Sequence, residues 1–255
     1  MNYSTAISIL ALALTMPLVA QTSAAVPPTA KADIPRTADG KPSLMGVWDH
    51  PYVPDMANTT KNGAVMSQQG PGKLPFTPQA QAAFDKYDPH VDGDYTGSCL
   101  PFGYLRSFNA PYPIQIVQTP EYVTFLFEQN SWFHNVAMFR DHPAHVEPTW
   151  FGDSVGKWDG DTLVIDTIGF NGLTRLDTIG HPHSDAMHVT QRIQRLDAKR
   201  LGMEIIVDDP KTYTEPWKNT RVFTLMKPGS EIMEYSCEEN NRDYSQGHIK
   251  RPAEK

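Results

Sequence analysis

Two cysteines in 255 residues are too few for a disulfide scaffold or a four-thiolate zinc site. Basic side chains are also scarce. There are 22 Lys and Arg against 29 Asp and Glu, and a net charge of −7 leaves no basic face for nucleic acid or an anionic membrane. Past Ala25 no apolar run approaches a membrane span, so no membrane insertion is expected. The chain carries no G-x-S-x-G elbow, no Walker loop, no G-x-G-x-x-G, no H-E-x-x-H and no C-x-x-C. Those gaps remove the best-marked hydrolases, nucleotide binders, zincins and dithiol enzymes. Turn formers are plentiful instead, with 17 Gly and 22 Pro, and 40% hydrophobic residues suffice for a packed core. This balance points to strands joined by loops.

The first 25 residues read as a signal peptide: an apolar run from Ala6 to Ala20, then small residues that suit cleavage after Ala20, Ala24 or Ala25. Its n-region has no Lys or Arg, only the terminal amine. The expected location is periplasmic or secreted. In an oxidising compartment Cys99 and Cys237 are expected to bridge, the alternative being two buried free thiols.

Residues 26–43 read as a flexible Pro- and Ala-rich segment, 44–247 as one domain and 248–255 as a tail. Leu44 to Trp48 reads as a first strand. Thr77-Pro78 opens a helix through about Tyr87, a capping hydroxyl followed by proline at the first helical position. From Ile114 onward β-rich runs follow one another: Ile114 to Thr119, Tyr122 to Gln129, Trp132 to Arg140, Ser154 to Trp158, Thr162 to Ile168, Ala186 to Leu196, Met203 to Val207, Arg221 to Met226 and Glu231 to Cys237. Asp159-Gly160 between two of them is the strongest hairpin signal. No helix separates the runs as βαβ units require. The expected fold is all-β, an antiparallel up-and-down barrel of roughly eight to ten strands with one short helix; a β-sandwich is the alternative.

Gly46-Val47-Trp48 resembles the G-x-W opening of lipocalins. Longer segments resemble a family of exported bacterial proteins: Asp39-Gly40-Lys41-Pro42-Ser43-Leu44-Met45-Gly46-Val47-Trp48, the run GDTLVIDTIGFN from Gly160, HPHS from His181, DDPKTYTEPW from Asp208 and CEEN from Cys237. The resemblance covers most of the chain and implies export but no activity. The loop Arg140–Glu147 departs from it, being shorter and richer in histidine, so no role is carried over to His142 or His145.

Candidate chemistry rests on histidine, the side chain whose proton moves near neutral pH, oriented by a carboxylate. His183 is the expected proton acceptor, with Asp177 six residues earlier across a Gly180 turn as its orienter. Asp166 is a second candidate orienter. Strand alternation puts His188, Thr190, Arg192 and Gln194 on one face, so His188 and Arg192 could stabilise negative charge if that face lines a cavity. His134 shares a mixed face with Trp132, Val136 and Met138. Tyr213, Trp217 and Trp132 are candidate substrate-binding aromatics. A metal reading uses His181, His183 and His188 with a divalent cation such as zinc.

Three functions follow. The first is an exported, cofactor-independent enzyme of lyase or isomerase type, acting on a small apolar or aromatic molecule in a barrel cavity. The second is a non-catalytic protein that binds a hydrophobic small-molecule ligand. The third is a histidine-ligated metalloenzyme.

Overall fold

The computed structural model describes residues 34–62, 65–239 and 241–242. The segments read as signal peptide and tail, and 26–33 of the flexible segment, lie outside the described residues.

Nine strands close into a barrel. They run β1 (Gly46–Asp49), β4 (Ile114–Gln118), β5 (Tyr122–Phe127), β6 (Phe133–Ala137), β7 (Asp153–Asp159), β8 (Thr162–Ile168), β9 (His188–Arg195), β10 (Arg200–Asp208) and β11 (Trp217–Leu225), and β11 returns to pair with β1. A hairpin of β2 (Thr59–Asn62) and β3 (Val65–Gln69) extends the sheet outward from β11. Closure leaves β11 no free edge along Trp48–Asp49, where it meets β1. Every barrel pairing is antiparallel except β6 with β7, which run parallel because residues 138–152 cross from one end of the barrel to the other.

Alternation along the strands decides what fills the interior. On β8, Leu163, Ile165 and Thr167 are buried; on β9, Val189, Gln191, Ile193 and Arg195; on β10, Leu201, Met203, Ile205 and Val207. A short helical turn, α2 (Tyr104–Ser107), brings Tyr104, Leu105 and the following Phe108 into the same core. Phe108 is fully buried and meets Phe125 and Phe127 edge-on at 5.1 Å each, a contribution of about 2–3 kcal/mol from its burial alone. The interior is thus occupied by the protein's own aromatic and aliphatic side chains.

Among the described residues the one regular helix, α1 (Pro78–Lys86), starts where the sequence signals it, with Thr77 Oγ1 accepting from the Ala80 amide at 3.3 Å. The Asp159-Gly160 signal is the β7–β8 hairpin, with Gly160 at φ +59° and Asp159 opposite Thr162. Residues 34–43, read as part of a tether, form a turn held to that hairpin: Arg36 grips Asp161 with both terminal nitrogens, at 2.7 and 2.9 Å. No strand forms over Glu231–Cys237. β11 has already closed the sheet, so that segment has no partner strand and is anchored by the disulfide Cys99–Cys237 instead. Among the described residues no helix is long and apolar enough to cross a membrane.

Candidate functional site

The histidines do not gather in one hollow. They occupy the barrel interior, one end of the barrel and its outer wall, and each place gives the imidazole a different chemistry.

Inside, His134 is buried on β6 with its Nε2 2.6 Å from Ser154 Oγ, which in turn lies 2.6 Å from Thr167 Oγ1. Tyr104 stacks obliquely on it at 4.6 Å and donates its hydroxyl to Gln191 Oε1. Desolvation pushes the His134 pKa down to about 3. The ring is therefore neutral and a feeble base near neutral pH. A Ser–His contact exists here, but among the described residues no carboxylate bonds the other nitrogen.

At the barrel end, Asp177 holds His181, not His183. The tight turn at Gly180 (φ +96°) folds residue i+4 back, so His181 Nδ1 donates to Asp177 Oδ2 at 2.6 Å and its amide to Oδ1 at 3.2 Å. The Met56 amide adds a third bond at 2.8 Å. Asp177 is fully buried, and the His181 ring lies under Phe84 and Phe76 at 4.8 and 5.8 Å. His183 is occupied elsewhere: Nδ1 donates to the Ser184 carbonyl at 3.0 Å, and Nε2 accepts from Thr174 Oγ1 at 2.7 Å. With both nitrogens engaged and its pKa lowered by burial, the ring is a structural link. Tyr213 and Trp217 are buried together, 5.5 Å apart, and the Tyr213 hydroxyl is committed to the Pro182 carbonyl at 2.8 Å. They wall this end and do not line an open mouth. Trp132 packs edge-on against Phe102 at 5.0 Å.

The metal set of His181, His183 and His188 is not assembled, since the three rings bond to Asp177, Thr174 and Asp166 respectively. Among the described residues the potential ligand atoms that gather within 4.8 Å belong to Asp55, Asp177 and His181. All three side chains already make protein hydrogen bonds: Asp55 takes the Ala57 amide at 2.8 Å and Asn58 Nδ2 at 2.6 Å.

The outer wall carries the third arrangement. Because Val189, Gln191 and Ile193 face inward, His188 and Arg192 face outward, as do Asp166 on β8 and Asp153 on β7. Residues 140–147 lie over this wall. Their seat is Gly169, at φ +76°, where a Cβ would come within 2.3 Å of Val146 Cγ1. Thr149 is pinned beside it, donating to the Gly169 carbonyl and accepting from the Asn171 amide at 2.9 Å each. The loop thereby lowers His142 between two strand carboxylates. Its Nδ1 is 2.6 Å from Asp153 Oδ2 and its Nε2 3.0 Å from Asp166 Oδ2. Asp166 Oδ1 accepts from His188 Nε2 at 2.5 Å, and Arg140 clamps Asp153 with two nitrogens at 2.5 and 3.1 Å.

An ionised carboxylate only accepts, so a ring nitrogen that bonds one must carry the proton. Asp166 Oδ1 accepts the Nε2 proton of His188, so Nδ1 is the ring nitrogen left over. Arg140 holds the Asp153 carboxyl below its ordinary range, chiefly by direct hydrogen bonding. His188 Nδ1 makes no hydrogen bond among the described residues, and its side chain is 43% exposed. The unit is a carboxylate-oriented imidazole on a partly exposed side chain, supported from behind by a second His–Asp pair. Arg192, four residues further along β9, pairs with Asp159 at 2.9 Å.

Sequence reasoning nominated His188 and Asp166 separately and passed over His142 and Asp153. Only the crossing of residues 138–152 brings His142 down, and nothing local in the sequence signals that crossing. No family model matches this chain and no curated protein matches it, so the resemblance noted above rests on its motifs alone.

Proposed function

We propose that this chain is an exported acid–base enzyme of lyase or isomerase type, whose reacting group is His188 on the outer wall of the barrel. His188 Nδ1 removes a proton from carbon or oxygen of a small molecule and returns it at a neighbouring atom. Asp166 fixes the ring's tautomer and stabilises the imidazolium that forms, while His142, itself held by Asp153, keeps Asp166 in place. Tautomer selection of this kind is what a carboxylate contributes behind a histidine base.

One observation carries the reading: Asp166 holds one nitrogen of His188 at 2.5 Å, while the other makes no hydrogen bond among the described residues on a side chain that is partly exposed. His183 has both nitrogens engaged, and His134 has its basicity removed by burial. The packed interior supports a site on the outside of the barrel over one in a central cavity, and favours an enzyme over a carrier that swallows its ligand. The disulfide Cys99–Cys237 fits an oxidising compartment, in keeping with export.

The test is hydrogen–deuterium exchange of a panel of ketone and 1,3-dicarbonyl carbon acids, followed by proton NMR in D2O. The enzyme is expected to accelerate exchange of at least one member. His188→Ala and Asp166→Asn should each reduce that rate by about a hundredfold or more, the usual contribution of a positioned base. His145→Ala, altering an exposed ring paired only with Glu147, should leave it unchanged. Full activity in His188→Ala overturns the assignment.

A further inference from the structure

Strand β11 is shared along one side by two partners. β1 pairs with it at Leu225 and Thr224, and β3 at Arg221 and Thr220. Val222 and Phe223 lie between and face neither strand. Continued in register, β3 would set Ser67 against Val222, but its ladder stops at Gln68. The fork leaves a cleft of about 330 Å³, walled by Asp49 and His50 at the end of β1 and by Ser67 of β3. Val222 and Thr224 form its floor, and Arg200 reaches it from β10. A cleft of this size stands at the small end of ligand pockets.

The charges in it lie in one row. Asp49 and Arg200 are each the cross-strand neighbour of Thr224, so all three side chains leave the same face of the sheet. At about 4.8 Å per strand, the backbones of Asp49 and Arg200 are about 10 Å apart. No ion pair joins the two, and both have bonding capacity left. Asp49 makes no hydrogen bond or ion pair among the described residues, and neither does the Thr224 hydroxyl. Arg200 gives Nε to Asp197 at 2.6 Å. That bond fixes the guanidinium by one edge and leaves Nη1 and Nη2, a pair that can grip a carboxylate. His50 adds no charge near neutral pH: burial lowers its pKa to about 4, and its ring nitrogens face the carbonyls of Pro51 and Tyr112 at 3.1 and 2.8 Å.

The cleft thus has a carboxylate at one end, a two-pronged cation at the other and an open hydroxyl between them, over an apolar floor at Val222. Opposite charges held apart match a ligand whose own charges are held apart. For side chains standing side by side off the sheet, a charge-assisted contact of about 2.8 Å at each end leaves roughly 4–5 Å between the ligand's ammonium and carboxylate. An α-amino acid is too short for that span. A chain with two or three methylenes between the groups fills it.

We propose that this cleft binds a short ω-amino acid, its carboxylate on Arg200 Nη1 and Nη2, its ammonium on Asp49, and the Thr224 hydroxyl beside its chain. Asp208, the neighbour of His188, stands at the other end of β10 from Arg200. The cleft is therefore separate from the His188 row and does not depend on that row being catalytic.

The probe is 4-aminobutanoate; butylamine lacks its carboxylate and pentanoate its ammonium. NMR titration of the full, isotope-labelled, disulfide-bonded chain at low ionic strength should show saturable 4-aminobutanoate binding that moves the Val222 and Thr224 amides. Binding should be at least about fivefold tighter than for either control, the upper range for one exposed ion pair. Asp49→Asn should weaken 4-aminobutanoate by about fivefold and leave pentanoate unchanged, while Arg200→Gln should weaken it similarly and leave butylamine unchanged. Both positions are exposed, so the melting temperature should hold in each variant. His188→Ala should bind the probe as wild type does. No saturable binding of 4-aminobutanoate, equal affinity for the three compounds, or wild-type affinity in both Asp49→Asn and Arg200→Gln overturns the proposal.

Discussion

A buried histidine that cannot take a proton links stability to pH, and His134 is such a residue. Its pKa is about 3 in the folded chain against about 6.5 in the unfolded one. Between those values the unfolded chain binds a proton that the native state refuses, so stability is complete above about pH 6.5 and falls as the pH drops toward 3. Near pH 5 this one ring contributes a slope of up to about 1.4 kcal/mol per pH unit. Urea unfolding of wild type and His134→Gln between pH 4 and 7 should show the wild-type advantage growing with pH; parallel curves would contradict the neutral assignment. At this scale the sequence was informative about faces but not about partners. Alternation correctly grouped His188 with Arg192, and His134 with Val136. It could not say that Asp177 would take His181. The Gly180 turn closes over four residues, leaving His183 two positions beyond its reach and within reach of Thr174.

Among the elements, the crossing of residues 138–152 matters most, since it creates the parallel β6–β7 pair and lowers His142 onto the wall. Gly169→Ala tests it. A Cβ would collide with Val146 at a φ that alanine resists, so about 1–3 kcal/mol of stability should be lost and the His142 contacts loosened. Wild-type stability with unchanged activity would show that the loop's seating is not critical. The disulfide is the second long-range tie. It closes a separation of 138 residues, for which the chain-entropy argument gives about 5 kcal/mol, with about 2–5 kcal/mol typical on removal. Cys99→Ala with Cys237→Ala should lower the denaturant midpoint accordingly, and an unchanged midpoint would mean that the tie is redundant. Local signals succeeded where one residue type dictates geometry, as at Thr77-Pro78 and Asp159-Gly160. They failed over Glu231–Cys237, whose extended-looking composition has no strand left to pair with once β11 meets β1. Pairing is a property of the whole sheet and is not written in the segment.

For the molecule as a whole, closure of nine strands was readable from the succession of β-rich runs without intervening helices. What fills the barrel was not. Tyr104, Leu105 and Phe108 come from a segment with no periodicity, and they occupy the space where a central ligand was expected. A filled barrel moves chemistry to its surface, and the outer wall supplies alternating imidazoles and carboxylates there. At the barrel end, the donors of Asp55, Asp177 and His181 lie within 4.8 Å yet already bond protein groups. Metal analysis of untagged protein should therefore find less than about a tenth of an equivalent of zinc; stoichiometric zinc retained through dialysis would favour the metalloenzyme reading.

The central claim is a placement of protons, and long-range proton–nitrogen correlation NMR on histidine-labelled protein reads it directly. In the neutral His188 ring the proton should sit on Nε2, facing Asp166, with Nδ1 bare. Asp166→Asn should collapse the His188 pattern toward the mixed tautomers of a free imidazole. A bare Nε2 on His188, or a His188 spectrum indifferent to Asp166→Asn, would contradict the account.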